Sequence, residues 1–167
     1  GDPHDLQTTD KFLTYDIITP LFSDYSFKHR AIFIPKGEKI RYNDKYVFDF
    51  PVGTIISKTF YYPYDFNDLD KGISLKETRI MIHEKEGWVG LPYIWNEDEN
   101  EAHLDIAGDI LHVKWIDNEN IKQNTNYIVP NMNQCKSCHV NSNVFKPIGP
   151  TARQLNKEIN YKNNFIN

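Results

Sequence analysis

The sequence predicts a mainly β fold of the α+β kind: an antiparallel β-sheet domain closed by a short helical C-terminal segment. Three observations carry this. Strand-like segments follow one another between Ala31 and Ile116, read from apolar runs, from β-branched and aromatic content and, over Leu75–Glu84, from period-two alternation. Pro, Gly, Asn and Asp punctuate those stretches at short intervals, as hairpins require. A helical reading becomes natural only after Gln134, where a short turn is followed by a segment opened by Pro150.

Taken in order, Asp2–Lys11 is polar and reads as poorly ordered. Thr19–Tyr25 brings a turn and buried aromatics. Ala31–Ile34 is an apolar run ended by Pro35-Lys36-Gly37. Lys39–Tyr42 and Tyr46–Phe50 flank Asn43-Asp44 and read as a hairpin. Thr54–Tyr62, rich in β-branched and aromatic residues, reads as a strand after the Pro51-Val52-Gly53 break. Phe66–Ser74 reads as a loop. Leu75–Glu84 alternates, with Thr78, Ile80 and Ile82 on one face and Arg79, Met81 and His83 on the other. Lys85-Glu86-Gly87 turns it into Trp88–Trp95, a second hairpin. Asn96–Glu101 is an acidic, solvated turn. Ala102–Ile106 and Ile110–Ile116 form a further pair around Gly108-Asp109, Asn118–Asn126 reads as a polar loop, and a helix is expected over Thr151–Ile159. The expected organisation is residues 1–130 as the β-rich domain with 131–167 packed on it, one structural unit.

With 167 residues the chain can bury a core without covalent staples. Its net charge of −4 argues against nucleic acid as a main partner. Aromatics make up 14% of residues but fall in strand-like runs rather than in a base-stacking array. No apolar run reaches the ~20 residues of a membrane-spanning helix. Serine-hydrolase, zinc-protease and phosphate-loop motifs do not occur.

The two cysteines of the chain both lie in Cys135-Lys136-Ser137-Cys138-His139. C-x-x-C-H is the attachment signal for a c-type haem: two thiols bond to the porphyrin vinyl groups and the adjacent histidine ligates the iron. Two intervening residues span about one helical turn, which suits the vinyl separation. A disulfide, a thioredoxin-like pair and a zinc site are the other readings. A thioredoxin motif would follow a strand in a βαβ unit, which is not seen here, and zinc would need a distant fourth ligand.

Most of the chain resembles a family of exported bacterial dihaem c-type cytochromes. The matching blocks run from Thr19-Pro20-Leu21-Phe22-Ser23-Asp24-Tyr25 through Phe48-Asp49-Phe50-Pro51-Val52-Gly53-Thr54, Lys58-Thr59-Phe60 and Glu77-Thr78-Arg79. They continue with Gly87-Trp88-Val89-Gly90-Leu91-Pro92-Tyr93-Ile94-Trp95-Asn96, Tyr127-Ile128-Val129-Pro130 and Asn133-Gln134-Cys135-Lys136-Ser137-Cys138-His139, and close with Pro147-Ile148-Gly149-Pro150-Thr151-Ala152-Arg153-Gln154-Leu155-Asn156. Only one C-x-x-C-H is present, so a second haem either lies outside this sequence, on a further haem domain, or does not exist here. A looser resemblance, through Phe50-Pro51-Val52-Gly53-Thr54 and Lys58, is to cytochrome P460 and cytochrome c′-beta, β-sheet proteins with a C-terminal C-x-x-C-H. The P460 members oxidise hydroxylamine and carry a lysine–porphyrin crosslink; their β relatives bind small gases. By composition alone Lys58 reads as a solvated strand residue.

On these readings Cys135 and Cys138 are the thioether positions and His139 the proximal ligand. Candidates for the distal position are Met81, Met132, His29, His83, His103 and His112, with Met81 favoured because it shares a strand face with Arg79; an open sixth site is the alternative. Arg79 and Arg153, ahead of Lys28 and Arg30, are expected to meet the haem propionates. Trp88, Trp95 and Trp115 with Tyr93 either wall the haem or pack the sheet core. The expected protein is an exported c-type cytochrome domain with one covalent haem c, transferring electrons to a redox partner protein or a further haem domain. The alternatives are a haem enzyme or gas binder with an open sixth site, and a binding or scaffold domain with empty or zinc-bound cysteines. Whether it is an enzyme stays open. Haem is attached outside the cytoplasmic membrane, so the expected location is the periplasm or cell surface, with an export signal or lipid anchor encoded by the gene; Gly1 reads as a cleavage remnant. Material made in a cytoplasm without the attachment machinery is expected to lack the haem.

Overall fold

The computed structural model describes residues 2–141 and 144–159. Six strands form one antiparallel meander in chain order: β1 (Phe12–Thr14), β2 (Phe27–Phe33), β3 (Ile55–Pro63), β4 (Ile73–Glu84), β5 (Gly87–Trp95) and β6 (Ala102–Leu104). A separate hairpin pairs β7 (Asp109–Ile116) with β8 (Lys122–Val129). Helix α1 (Met132–His139) follows, then a small ribbon of β9 (Val140–Asn141) and β10 (Val144–Phe145), and the one-turn helix α2 (Ala152–Leu155).

The predicted class and the central hairpin hold. Register across β3, β4 and β5 places Lys58 opposite Arg79 and Arg79 opposite Pro92, while Thr59 faces Thr78 and Thr78 faces Tyr93. Since side chains alternate, Arg79, Met81 and His83 share one face and Thr78, Ile80 and Ile82 the other. The first of these is the covered face. At one end the hairpin closes it, with Phe60 and Tyr62 packed against Val113, Trp115, Tyr127 and Val129. At the other end Ile32, Ile56 and Phe50 form a second cluster that takes in Val47, Phe48, Met81 and Trp88. Between the two apolar ends lies a charged middle: Arg30 of β2, Lys58 of β3, and Glu77 and Arg79 of β4.

Several expectations are corrected. Phe22 and Tyr25, expected to be buried, are exposed, with the Tyr25 ring lying against Phe22 and Trp115. Residues 39–50 contain no strand pair, only an isolated bridge between Arg41 and Asp49. Asn43 Oδ1 accepts from the Lys45 and Tyr46 amides at 3.1 and 2.9 Å, and the returning segment bonds instead to the C-terminal region, through Phe48 N to Pro150 O and a bridge from Val47 to Thr151. The strands around Gly108 do not pair with each other. β6 adds to β5, and β7 takes β8 as its partner, so part of the expected loop at 118–126 is strand. β8 was hidden because its alternation runs largely through polar residues: Lys122, Asn124 and Asn126 are exposed while Gln123 and Thr125 are half-buried.

Helix α2 stops after Leu155 rather than reaching Ile159, because the Gln154 carbonyl accepts from Ile18 N at 3.0 Å, an extra bond outside the helix. The N-terminal segment and the acidic turn are likewise ordered against each other. His4 Nε2 meets Glu99 Oε2 at 2.9 Å, and buried Glu99 also accepts from Ser74 Oγ and Leu75 N. Charge burial that hydropathy cannot foresee turns two solvated segments into a tie.

Candidate functional site

Helix α1 carries both cysteines and His139, at positions i, i+3 and i+4, which places them along one side. Its start is set by sequence. Asn131 Oδ1 accepts from Gln134 N and Gln134 Oε1 accepts from Asn131 N, both at 2.9 Å, a closed capping box. The helix packs on β5, and Phe145 of the following ribbon lies over Gly90. A Cβ at Gly90 would stand 3.0 Å from the Phe145 ring, so glycine there lets the ribbon approach the sheet.

The two thiols are free and unequal. Cys138 is exposed, whereas Cys135 is half-buried and desolvation holds its thiol above the ordinary range. His139 is half-buried, and its ring lies 5.7 Å from the Phe145 ring, centroid to centroid. Its Nδ1 sits 3.1 Å from the Lys146 carbonyl oxygen. A carbonyl only accepts, so Nδ1 carries the proton and Nε2 is left with a lone pair and no partner among the described residues. Burial, with repulsion from Lys58 and Arg79, holds the imidazole below its usual basicity against the opposing pull of that carbonyl.

The charged middle of the sheet neighbours this helix: Arg79, Glu77 and Lys58 all act electrostatically on Cys135. Glu77 is fully buried and accepts from Arg79 Nε at 2.8 Å, from Arg79 Nη2, and from the Tyr127 hydroxyl. Arg30 bonds Asp16 at 2.9 Å and Lys28 donates to the Ser26 carbonyl. Lys58 is not the solvated strand residue its composition suggested. Its ammonium is desolvated and surrounded by Arg79 and Arg30, which brings it down to about 8.

The other expected residues are placed as follows. Met81 is half-buried against the Ile32–Phe50–Ile56 cluster, on the same face as Arg79. His83 bonds the Phe50 carbonyl through Nδ1 at 2.9 Å and stacks on Trp88 at 4.7 Å. His29 points to the opposite face, against Thr14, and His103 and His112 are exposed. Met132 opens α1. Arg153 is exposed on α2 and makes no ion pair among the described residues, whereas Arg79 acts electrostatically on Cys135 of the cysteine helix. Trp115 is hairpin core, Trp88 closes the second cluster, and Trp95 donates to Thr78 Oγ1 on the far face at 3.0 Å. Sequence reasoning missed Glu77, Tyr127, Phe145 and Lys146. Strand parity gives a signal for Glu77, two residues from Arg79; contacts of Phe145 and Lys146 have none.

Among the described residues, no three His, Cys, Asp or Glu side chains converge as a metal-ion shell. The donor set suits a group that brings its own equatorial ligands and asks the protein for one imidazole and two thiols. No helix among the described residues is long and apolar enough to cross a membrane. The chain matches no family model, no curated protein and no solved structure.

Proposed function

We propose that this chain is a c-type cytochrome domain holding one covalent haem through Cys135 and Cys138, with His139 as the axial base. The single observation that carries this is the tether from His139 Nδ1 to the Lys146 carbonyl. It fixes the tautomer and leaves Nε2 without a partner among the described residues, which is what an iron-bound imidazole needs from its surroundings. The C-x-x-C-H spacing and the placement of both cysteines and His139 along α1 support the same reading.

When bound, the haem supplies one-electron chemistry at its iron. The chain's own residues do the rest. Phe145 and Gly90 set how closely the ribbon approaches the sheet beside His139. Glu77 and Tyr127 hold Arg79 in place, and Arg79 and Lys58 supply positive charge near the thiols, which favours anionic groups there. The domain would serve electron transfer in the periplasm or at the cell surface, to a partner protein or a further haem domain.

The test is expression with export and haem attachment, followed by a pyridine haemochrome spectrum and an intact mass. A c-type spectrum and a mass increased by one haem are expected; colourless protein of bare polypeptide mass overturns the proposal. A second reading, an open sixth site for a small gas, is favoured by the packing of Met81 among Ile32, Phe50 and Ile56. Rapid CO binding by the reduced protein selects it over a six-coordinate electron carrier.

A further inference from the structure

The covered face of the sheet concentrates positive charge around one ring. The Phe60 centroid has Arg79 Cζ at 4.4 Å, Lys58 Nζ at 4.9 Å and Lys28 Nζ at 5.9 Å. Arg30 stands opposite Lys58 in the β2–β3 register. Four cations in a desolvated setting repel one another unless acceptors offset them.

The acceptors present are already committed. Glu77 takes Arg79 and the Tyr127 hydroxyl. Asp16 takes Arg30 and, at 2.6 Å, Lys157. The Ser26 carbonyl takes Lys28 at 3.0 Å. Among the described residues, Lys58 alone of the four has no hydrogen-bond acceptor. No fully enclosed side-chain nitrogen or oxygen among the described residues lacks a partner, so the Lys58 ammonium keeps an opening to solvent. Phe60 offers it a ring face, which supplies no lone pair.

From this arrangement we infer that Lys58, Arg79, Lys28 and Arg30 form a cradle for one carboxylate or small oxyanion, bound against Lys58. Its fit is chemical. An anion at this position supplies Lys58 with a charged acceptor and relieves the repulsion among the four cations. Two sources share that chemistry: a propionate of the proposed haem, or a free anion. The cradle rests on β2, β3 and β4 and does not require the haem reading, although a propionate occupant would unite the two.

The experiment begins with haem-free protein made in a cytoplasm. Its melting temperature is measured in sodium phosphate and in sodium chloride at equal ionic strength, for the natural chain and for Lys58→Met. Phosphate at about ten times its dissociation constant is expected to raise the melting temperature of the natural chain by roughly 3 °C beyond chloride. Lys58→Met, a folded variant by its own melting transition, is expected to lose that increment. Equal melting in the two salts, or an undiminished phosphate response in Lys58→Met, overturns the cradle. Lys36→Met, an exposed lysine in the turn after Ile34, controls for loss of charge alone. The exported haem protein then identifies the source: loss of the phosphate response assigns the cradle to a propionate, and retention assigns it to a free anion. A colourless exported protein that still responds to phosphate defeats the haem proposal and leaves the cradle standing.

Discussion

Lys58 and Glu77 are cross-sheet neighbours with opposite energetic roles. Glu77 is fully buried, and its carboxylate is what lets Arg79 sit on the covered face. Glu77→Gln removes the charge while keeping the shape, so Arg79 stays largely desolvated without its counter-ion. We expect a loss of about 3 kcal/mol by urea denaturation. Lys58 does the reverse. Its folded value of about 8 lies below the ordinary 10.5, so between those pH values the unfolded chain binds more protons than the folded one. Stability of the natural chain in chloride should therefore rise as pH increases from about 8 to 10.5. Lys58→Met should be more stable at pH 7 by roughly 1–2 kcal/mol, with the gap closing across that window. Thermal melts at pH 7 and pH 10 check both statements; a natural chain that loses stability on going to pH 9 would contradict them.

Helix α1 is eight residues long, too short to persist without its cap and its packing. The Asn131–Gln134 box satisfies its first amides, so Asn131→Ala should cost about 1 kcal/mol and raise amide exchange within Met132–His139. The same helix makes its two thiols differ. In haem-free protein, Cys138 should be alkylated by iodoacetamide well before Cys135, which is half-buried with its thiol pushed up by desolvation. Peptide mass spectrometry after short exposure reads the order, and equal rates would mean that Cys135 is not held against the sheet. The box is local, Asn131 and Gln134 being three residues apart, but it lies ahead of the point after Gln134 where the sequence reading began its helical segment. What lies under Cys135 was not legible, because Glu77, Arg79 and Lys58 come from strands far away in the chain.

At the scale of the molecule, one sheet face is closed by three separate pieces: the β7–β8 hairpin, the loop carrying Phe48 and Phe50, and α1 with its ribbon. The ribbon depends on Gly90. Gly90→Val would drive into Phe145, whose ring neighbours His139. It should shift the His139 imidazole resonances more than those of His103 or His112, measured by NMR, and lower the yield of haem-loaded protein after export. The hairpin depends on Trp115, which packs on Tyr62 at 5.4 Å and on Phe66 at 6.0 Å. These contacts join residues 62–66 to 115, a separation that no local pattern encodes.

The class of fold, the β4–β5 hairpin, the two faces of β4 and the triplet of Cys135, Cys138 and His139 were set within the chain itself, because each depends on neighbours a few residues apart. Partnerships between distant segments were decided only in three dimensions. β7 chose β8 over β6, the returning segment at Val47–Phe48 joined Pro150 and Thr151, and His4 reached Glu99. Burial also reversed the reading of Lys58. A lysine in a strand is solvated by default, and only a sheet covered on that side, with arginines in register on both flanks, makes it a desolvated cation without an acceptor among the described residues.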